Sequence, residues 1–172
     1  LPPIADNVAM RINNSGQVSL WKMDATMHSN PAVWTGSSRD TLKNPSDYLS
    51  GVASSINNQG QVAGWVGASA NLVDSSSTLR GVVYTQGIAR VLGTLGGRDS
   101  RVDAISDTGK TVGIADLANK QRHAFVDDGK TMTDLGALPG GDSSEAFAIN
   151  TAGEVAGVSD TPTHQDHAVI WK

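Results

Sequence analysis

Short apolar runs alternate with polar turn residues along the chain, and one arrangement of the two recurs four times. In each copy an isoleucine is followed by a polar residue, two variable residues and a glycine. The copies are Ile12–Gly16, Ile56–Gly60, Ile105–Gly109 and Ile149–Gly153, so their isoleucines are 44, 49 and 44 residues apart. This regular spacing predicts one repeated structural unit.

Each unit is built from runs of a few residues rich in Val, Ile and Ala, bounded by Gly, Asn, Asp or Ser, a pattern typical of short β-strands. The polar-x-x-Gly segment suits a tight hairpin because glycine adopts positive φ at low cost. We therefore expect strands one and two of each unit to pair. A third strand is predicted in all four units, and a fourth strand in the first three only.

Units of about 44 residues with four strands are typical of propeller blades. We predict an all-β fold of four blade-like units, arranged as a small four-bladed β-propeller whose last blade is three-stranded. Residues 1–172 are expected to form a single repeat domain, with units at approximately 1–44, 45–93, 94–137 and 138–172. The repeated isoleucines are expected to share one interior. Glycines 64, 113 and 157, in strand two, indicate that another backbone approaches closely, and crowding toward a central axis would explain this.

Composition narrows the function classes. The net charge is −4 and the 13 Lys and Arg are scattered singly, which argues against nucleic acids and anionic membranes as partners. No apolar stretch approaches the ~20 residues of a membrane span, and the start at Leu1 lacks the charged-then-apolar pattern of a leader. The absence of cysteine excludes disulfides and thiolate metal sites.

Three segments carry a resemblance to a known family. Leu92–Ser100 reads LGTLGGRDS, His123–Phe125 reads HAF, and Ala146–Asn150 reads AFAIN, followed by Gly153 and Gly157. The chain resembles the bacterial extracellular HAF-repeat proteins, most strongly in units three and four. The resemblance weakens toward the N-terminus, where Asn30 and Arg80 replace the histidine. It implies a secreted or cell-surface bacterial protein, and it carries over no catalytic residue.

The second unit is longer than the others by an insertion near Ala68 to Thr78, which we interpret as a surface loop. Loop variation on a repeated scaffold creates recognition surfaces without changing the core. The loop is our candidate binding site, although its Ser-rich composition equally fits a loop without a role. Its candidate residues are Ala68, Asn71, Asp74, Ser75, Ser76 and Thr78.

A second, weaker candidate is a polar cluster near the C-terminus. His164 and His167 lie three residues apart, with Asp160 and Asp166 nearby. Imidazole and carboxylate suit zinc or nickel, but a metal site normally needs three ligands in a fixed cluster. We therefore expect no metal or other cofactor, and we favour an interpretation in which His123 and His167 begin a strand and hydrogen-bond a neighbouring turn.

Two classes of function remain open. The favoured one is a non-enzymatic module that presents loops to a macromolecule or glycan, existing as a monomer or associating weakly through exposed strand edges. The alternative is a small glycan hydrolase with its site on the propeller axis, for which Asp103, Asp107, Glu145 and Glu154 supply carboxylates. No serine elbow, cysteine nucleophile or zinc-protease motif occurs in the sequence. The four tryptophans occupy repeat positions and are expected to pack between blades rather than to bind sugars.

Overall fold

The computed structural model describes residues 7–26, 28–69 and 77–172. Within these ranges the chain forms fifteen β-strands and no helix, so no helix there is able to cross a membrane. The strands are β1 (Val8–Ile12), β2 (Val18–Met23), β3 (Ser29–Trp34), β4 (Arg39–Thr41), β5 (Ser50–Ile56), β6 (Val62–Gly67), β7 (Leu79–Thr85), β8 (Ile88–Val91), β9 (Gly96–Ile105), β10 (Thr111–Leu117), β11 (Arg122–Asp127), β12 (Met132–Asp134), β13 (Ser144–Ile149), β14 (Val155–Ser159) and β15 (His167–Trp171).

The strands form four antiparallel sheets, one for each repeat, in which neighbours in sequence are neighbours in space. Sheet 1 contains β1–β4, sheet 2 contains β5–β8, sheet 3 contains β9–β12, and sheet 4 contains β13–β15. The predicted pairing of strands one and two is confirmed in every unit. The all-β class and the three-stranded last sheet are confirmed as well.

The first hairpin of each sheet is closed by the repeated polar-x-x-Gly turn. The glycine of each turn has positive φ, between 73° and 90°, as predicted. In sheet 1 the Asn13 side-chain oxygen accepts hydrogen bonds from the backbone N–H groups of Ser15 and Gln17, at 3.1 and 2.9 Å. Asn57 does the same in sheet 2. The asparagine therefore stabilises the turn through its side chain, while the glycine supplies the left-handed backbone.

A β-bulge interrupts the first strand of every sheet, and it explains the glycines of the second strand. The bulged residues are Met10, Ser54, Asp103 and Phe147. A Cβ at Gly64 would come within 1.8 Å of the Val52 carbonyl oxygen, and one at Gly113 within 2.0 Å of the Arg101 carbonyl oxygen. The predicted close approach of a backbone is confirmed. The approaching backbone belongs to the same sheet, however, and not to a crowded central axis.

The core of the described residues consists of three hydrophobic clusters, each between two sheets that follow one another in the chain. The clusters join sheets 1 and 2, sheets 2 and 3, and sheets 3 and 4. The first strands β5, β9 and β13 pack on the preceding sheet, and successive first strands contact each other. The sheets therefore spread like a fan from their first strands. None of the three clusters joins sheet 4 back to sheet 1.

This arrangement corrects the prediction that the four isoleucines share one interior. Ile56 and Ile105 are 6% and 7% exposed, but they belong to different clusters. Ile149 packs against the third cluster. Ile12 is 69% exposed and belongs to none of the three clusters. The prediction is wrong for Ile12, and a closed four-bladed propeller is not confirmed.

Serine hydroxyls in the first strands of sheets 3 and 4 bind the preceding sheet. Ser100 Oγ accepts a hydrogen bond from the Gly81 backbone N–H at 3.0 Å, and Ser144 Oγ accepts one from Ala124 at 2.8 Å. Ser144 is 1% exposed, so this bond satisfies a backbone group that water does not reach. The serine that follows the glycine pair in these two units thus joins one sheet to the next.

The two glycine-pair segments differ in conformation, although we interpret both from sequence as turns between blades. Residues 140 and 141 lie in and just after a turn, as predicted. Gly96 instead begins β9, a strand of ten residues, so the prediction is wrong for residues 96–100. The same interpretation predicts that Asp99 caps the next amide. Its carboxylate instead accepts a hydrogen bond from the Leu79 backbone N–H of sheet 2 at 2.9 Å.

Candidate functional site

The hairpin turns of sheets 1, 2 and 3 lie side by side and form a continuous polar edge, which we call the turn ladder (residues 13–17, 57–61 and 106–110). Asn13 Nδ2 donates to the Asn57 carbonyl oxygen at 3.0 Å, and Asn57 Nδ2 donates to the Ser106 carbonyl oxygen at the same distance. Each asparagine thus stabilises its own turn and also binds the next sheet. The spacing of the ladder follows directly from the sequence repeat.

A second row of hydrogen bonds runs parallel to the first, one residue further along each turn. The Asn14 backbone N–H donates to Asn58 Oδ1 at 2.8 Å. Asn58 in turn donates its backbone N–H and its side-chain amide to the two carboxylate oxygens of Asp107, at 2.9 and 2.7 Å. These two bonds, the backbone one first, lower the pKa of Asp107. The ladder therefore ends on an ionised carboxylate at neutral pH.

An open groove of about 620 Å³ follows the turn ladder. Its lining side chains are amides, hydroxyls and one carboxylate, which come from the turns of sheets 1 to 3 and from the outer hairpin of sheet 2. The lining residues are Gln17, Asn58, Gln59, Gly60, Gln61, Thr85, Gln86, Asp107 and Thr108. Such side chains both donate and accept hydrogen bonds, so the groove is suited to a neutral ligand with many hydroxyl groups.

Sequence reasoning missed this groove, although a signal for it was present. The second turn position reads Asn14, Asn58, Asp107 and Thr151 in the four units, and all four residues carry side-chain hydrogen-bonding groups. From sequence these turns are predicted to be connections between strands, and the candidate binding site is the insertion. What the sequence did not reveal is that successive sheets bring the turns within hydrogen-bond distance of one another.

The predicted binding loop is described only at its two ends. Ala68 and Thr78 face each other across the base of the insertion, where the Ala68 N–H donates to the Thr78 carbonyl oxygen at 3.2 Å. The Ser69 N–H donates to Ser77 Oγ at 3.1 Å. The remaining candidates, Asn71, Asp74, Ser75 and Ser76, lie outside the described residues.

The predicted cluster of His164, His167, Asp160 and Asp166 is only partly brought together. His164 Nδ1 lies 3.6 Å from an Asp160 carboxylate oxygen. The other Asp160 oxygen accepts the backbone N–H groups of Asp142 and Ser143, both at 2.8 Å. These backbone hydrogen bonds lower the pKa of Asp160. Asp160 thus holds the turn before β13, and His167 and Asp166 are exposed.

No group of three or more His, Cys, Asp or Glu side chains able to hold a metal ion is found in the described ranges. The other repeat histidine, His123, contacts a carboxylate on the next strand rather than a turn. Its Nδ1 lies 2.9 and 3.0 Å from the two carboxylate oxygens of Asp134 in β12. His123 therefore links β11 to β12, in a position where Asn30 and Arg80 stand in the first two sheets.

An ionic cluster lies on the inner strands of sheets 3 and 4. The Arg101 guanidinium binds the Glu145 carboxylate, and its Nε lies 3.2 Å from Asp103. Burial raises the pKa of Asp103 from its usual 3.8 to about 6. The positive charge of Arg101 opposes this rise, and the negative charge of Glu145 adds to it. Arg11, on the inner strand of sheet 1, also lowers the pKa slightly. Asp103 is the bulged residue of β9, which turns its side chain toward this cluster.

Comparison with known proteins gave no matching family model and no matching curated protein sequence. The resemblance to HAF-repeat proteins therefore stays a prediction from the residues of units three and four.

Proposed function

We propose that the protein is a non-enzymatic binding module of the bacterial cell surface or secreted fraction, and that it binds a glycan along the turn ladder. The observation that supports this proposal is the groove of about 620 Å³ lined by amide, hydroxyl and carboxylate side chains. Sugar hydroxyls each donate and accept, so pairs of such side chains complement them. The secreted location rests on the resemblance to HAF-repeat proteins alone.

Three sheets contribute to this groove, which gives a repeat protein a simple way to recognise a repeating ligand. The side chains of the turns differ, while the positive-φ glycine of all three turns and the asparagine of the first two keep the turn backbones alike. Gln59 and Gln61 in sheet 2 stand beside Asp107 and Thr108 in sheet 3. Substitution of these side chains changes which ligand is bound and leaves the core undisturbed.

A glycan array probed with the purified protein tests the proposal. We expect binding to at least one class of glycan, and a loss of at least about tenfold, or ~1.4 kcal/mol, in the Gln59→Ala/Gln86→Ala double variant. Gln165→Ala, an exposed glutamine outside the groove, is the matched control and should bind as the wild type does. Absence of binding to any glycan, or equal binding by the double variant, would reject the proposal.

Deletion of residues 69–77 separates the turn ladder from the insertion as the binding site. If the ladder binds the glycan, the deletion leaves affinity unchanged. If the deletion abolishes binding and the Gln59→Ala/Gln86→Ala variant does not, the insertion is the site. This outcome would support the insertion as the binding site, as predicted from the sequence.

One observation favours a second candidate function, glycan hydrolysis at the inner strands. Asp103 has a pKa raised to about 6 and lies near the carboxylate of Glu145, and an acid that titrates near neutral pH is suited to general acid catalysis. Glu145 is, however, already bound by Arg101. Release of sugar from fluorogenic glycosides by the wild type, abolished in Asp103→Asn, would replace the binding module by this alternative.

That the four sheets are arranged as the blades of a propeller remains a proposal. Contacts between successive first strands support a radial arrangement of the sheets. Exposure of Ile12 at one end of the row and of Ile170 at the other, 69% and 67%, does not support closure of the ring within one chain.

A further inference from the structure

Each end of the row of sheets has a surface made from the same repeat positions as surfaces that pack together inside the row. We call the side of each sheet that faces the next sheet its forward side. On this side, three paired residues, one from each of the first three strands, form a column at equivalent repeat positions in each sheet. Register places Ser55, Ala63 and Val83 in this column in sheet 2. The same register gives Ala104, Val112 and Val126 in sheet 3, and Ala148, Ala156 and Ile170 in sheet 4.

The centre of this column is buried wherever a following sheet covers it. Ala63 and Val112 are both 0% exposed. Ala156, their equivalent in sheet 4, is exposed, and Ile170 beside it is 67% exposed. A groove of about 240 Å³ lies over this column and is lined mainly by apolar side chains. We call this surface the tail face (Ala148, Asn150, Ala156 and Ile170).

An isoleucine from the following sheet packs on the equivalent surface at each internal position. Ile105 of sheet 3 shares a cluster with Ala63 of sheet 2. Ile149 of sheet 4 packs against the cluster that contains Val112 of sheet 3. The remaining member of the series, Ile12 of sheet 1, is 69% exposed. It lies at the turn end of the sheet, and the tail groove lies at the same end of sheet 4.

The head face (Ile12, Asn13 and Asn14) is limited to this turn end. Leu20 and Ala32, further along the same side of sheet 1, are 0% and 1% exposed. The exposed part of sheet 1 is therefore equivalent to the parts of sheets 2 and 3 that pack on the preceding sheet through Ile56 and Ile105.

Polar groups of the two faces match as well. The Asn150 amide donates to Glu154 at 2.8 Å, as Asn13 donates to Gln17 and Asn57 to Gln61. The second amide hydrogen of Asn13 and of Asn57 binds the carbonyl oxygen of the next turn. In the described ranges that hydrogen of Asn150 has no such partner. In a second chain, the Asn13 carbonyl is the group equivalent to the Asn57 and Ser106 carbonyls that accept these bonds.

We propose that two copies of this chain associate head to tail, with Ile12 of one copy in the tail groove of the other and Asn150 bound to the Asn13 carbonyl. We choose a second copy as the occupant because the tail groove requires an isoleucine and a turn carbonyl in a particular relative position. Sheet 1 carries both groups in that position. The contact is heterologous, so it either closes into a ring or continues as a filament. The proposal is independent of the ligand of the turn ladder.

Sedimentation velocity over a range of protein concentrations tests the proposal, with one variant for each face. Ile12→Arg blocks the head face and Ala156→Arg blocks the tail face, and both positions are exposed, so the fold should be retained. We expect the wild type to associate with increasing concentration and each variant alone to remain monomeric. An equimolar mixture of the variants retains one intact head and one intact tail, and should form a complex of two chains only.

Each other outcome overturns the proposal. A wild type that stays monomeric at all concentrations excludes the contact. Association of Ile12→Arg but not of Ala156→Arg indicates a symmetric tail-to-tail contact, and association of both variants indicates pairing of strand edges. Thermal unfolding monitored by circular dichroism verifies that each variant is folded, and Ile170→Lys is a second tail variant should Ala156→Arg unfold.

Discussion

The interface between sheets 2 and 3 and the outer surface of sheet 4 are made from the same repeat positions, yet they have opposite environments. At the interface, Ala63 and Val83 on the forward side of sheet 2 are 0% and 4% exposed. On sheet 4, Ala156 and Ile170 of the same column face solvent. The strands, turns and bulges of the two regions are alike. The repeat thus determines local structure, whereas burial depends on whether a further sheet follows.

The comparison also explains how the fold distributes its stability. A repeat array gains stability from each unit and from each contact between neighbours. Among the described residues, three hydrophobic clusters join the four sheets, and sheets 1 and 4 each take part in one of them. Within the same ranges sheet 4 has three strands and the other sheets have four. We expect the central sheets to be the most stable part of the molecule and the end sheets to open first.

The largest expected difference between the centre and the end is for phenylalanine truncation. Phe125→Ala in the second cluster should reduce the free energy of unfolding by about 3–5 kcal/mol, because it leaves a cavity in a closed core. Phe147, 46% exposed on sheet 4, should cost less than about 1 kcal/mol when changed to alanine. Urea denaturation measures both, and equal losses would refute the distinction between the two regions.

A smaller effect is expected at the bulge of sheet 3, where Asp103 occupies the position of Phe147. Its pKa is raised to about 6 in the folded protein, so the folded state binds more protons than the unfolded state between about pH 4 and 6. Stability should therefore fall as the pH rises through this range. Partial solvation limits the loss to about 1–2 kcal/mol.

Asp103→Asn is the matched variant for this pH effect. It removes the titrating group and preserves the side-chain shape, so urea denaturation should show a flatter dependence on pH from 4 to 6 and higher stability than the wild type at pH 7. A variant with the same pH profile as the wild type would show that another group is responsible.

The smallest difference is predicted for the turn asparagines. Asn57 and Asn150 each donate to the side chain and accept from the backbone N–H of the residue four positions later. Of the two, Asn57 alone also donates to the next sheet in the described ranges. Asn57→Ala should therefore cost about 0.5–1.5 kcal/mol more than Asn150→Ala, the value of one hydrogen bond. Measurement in dilute protein excludes any head-to-tail contact of Asn150. Equal costs would indicate that the bond to Ser106 contributes nothing.

Local features were predictable because each depends on residues close in sequence. Propensity and spacing predict the turn glycines, the turn asparagines of sheets 1, 2 and 4, the pairing of strands one and two, and the short last sheet. The glycines of strand two correctly indicated a close backbone, since the bulge that requires them lies in the adjacent strand of the same hairpin.

Relations between sheets were less predictable. The repeat implies that neighbours pack alike, but it does not give the angle between them, and that angle decides whether four units close a ring. Ile12 and Ile56 are followed by the same Asn-Asn pair, yet Ile12 is 69% exposed and Ile56 only 6%. The groove along the turn ladder was missed for the same reason, since the angle between sheets determines how the turns line up.

A disulfide trap is the most direct test of the open row of sheets, and the absence of cysteine from the sequence makes it clean. The Ile12→Cys/Ala156→Cys variant is oxidised in dilute solution and analysed by mass spectrometry. A disulfide requires the two Cα atoms to be within about 7 Å. We expect no bond within a single chain, because sheets 1 and 4 are the two ends of the row. Efficient formation of an intrachain disulfide would contradict it and would indicate a ring closed by one chain.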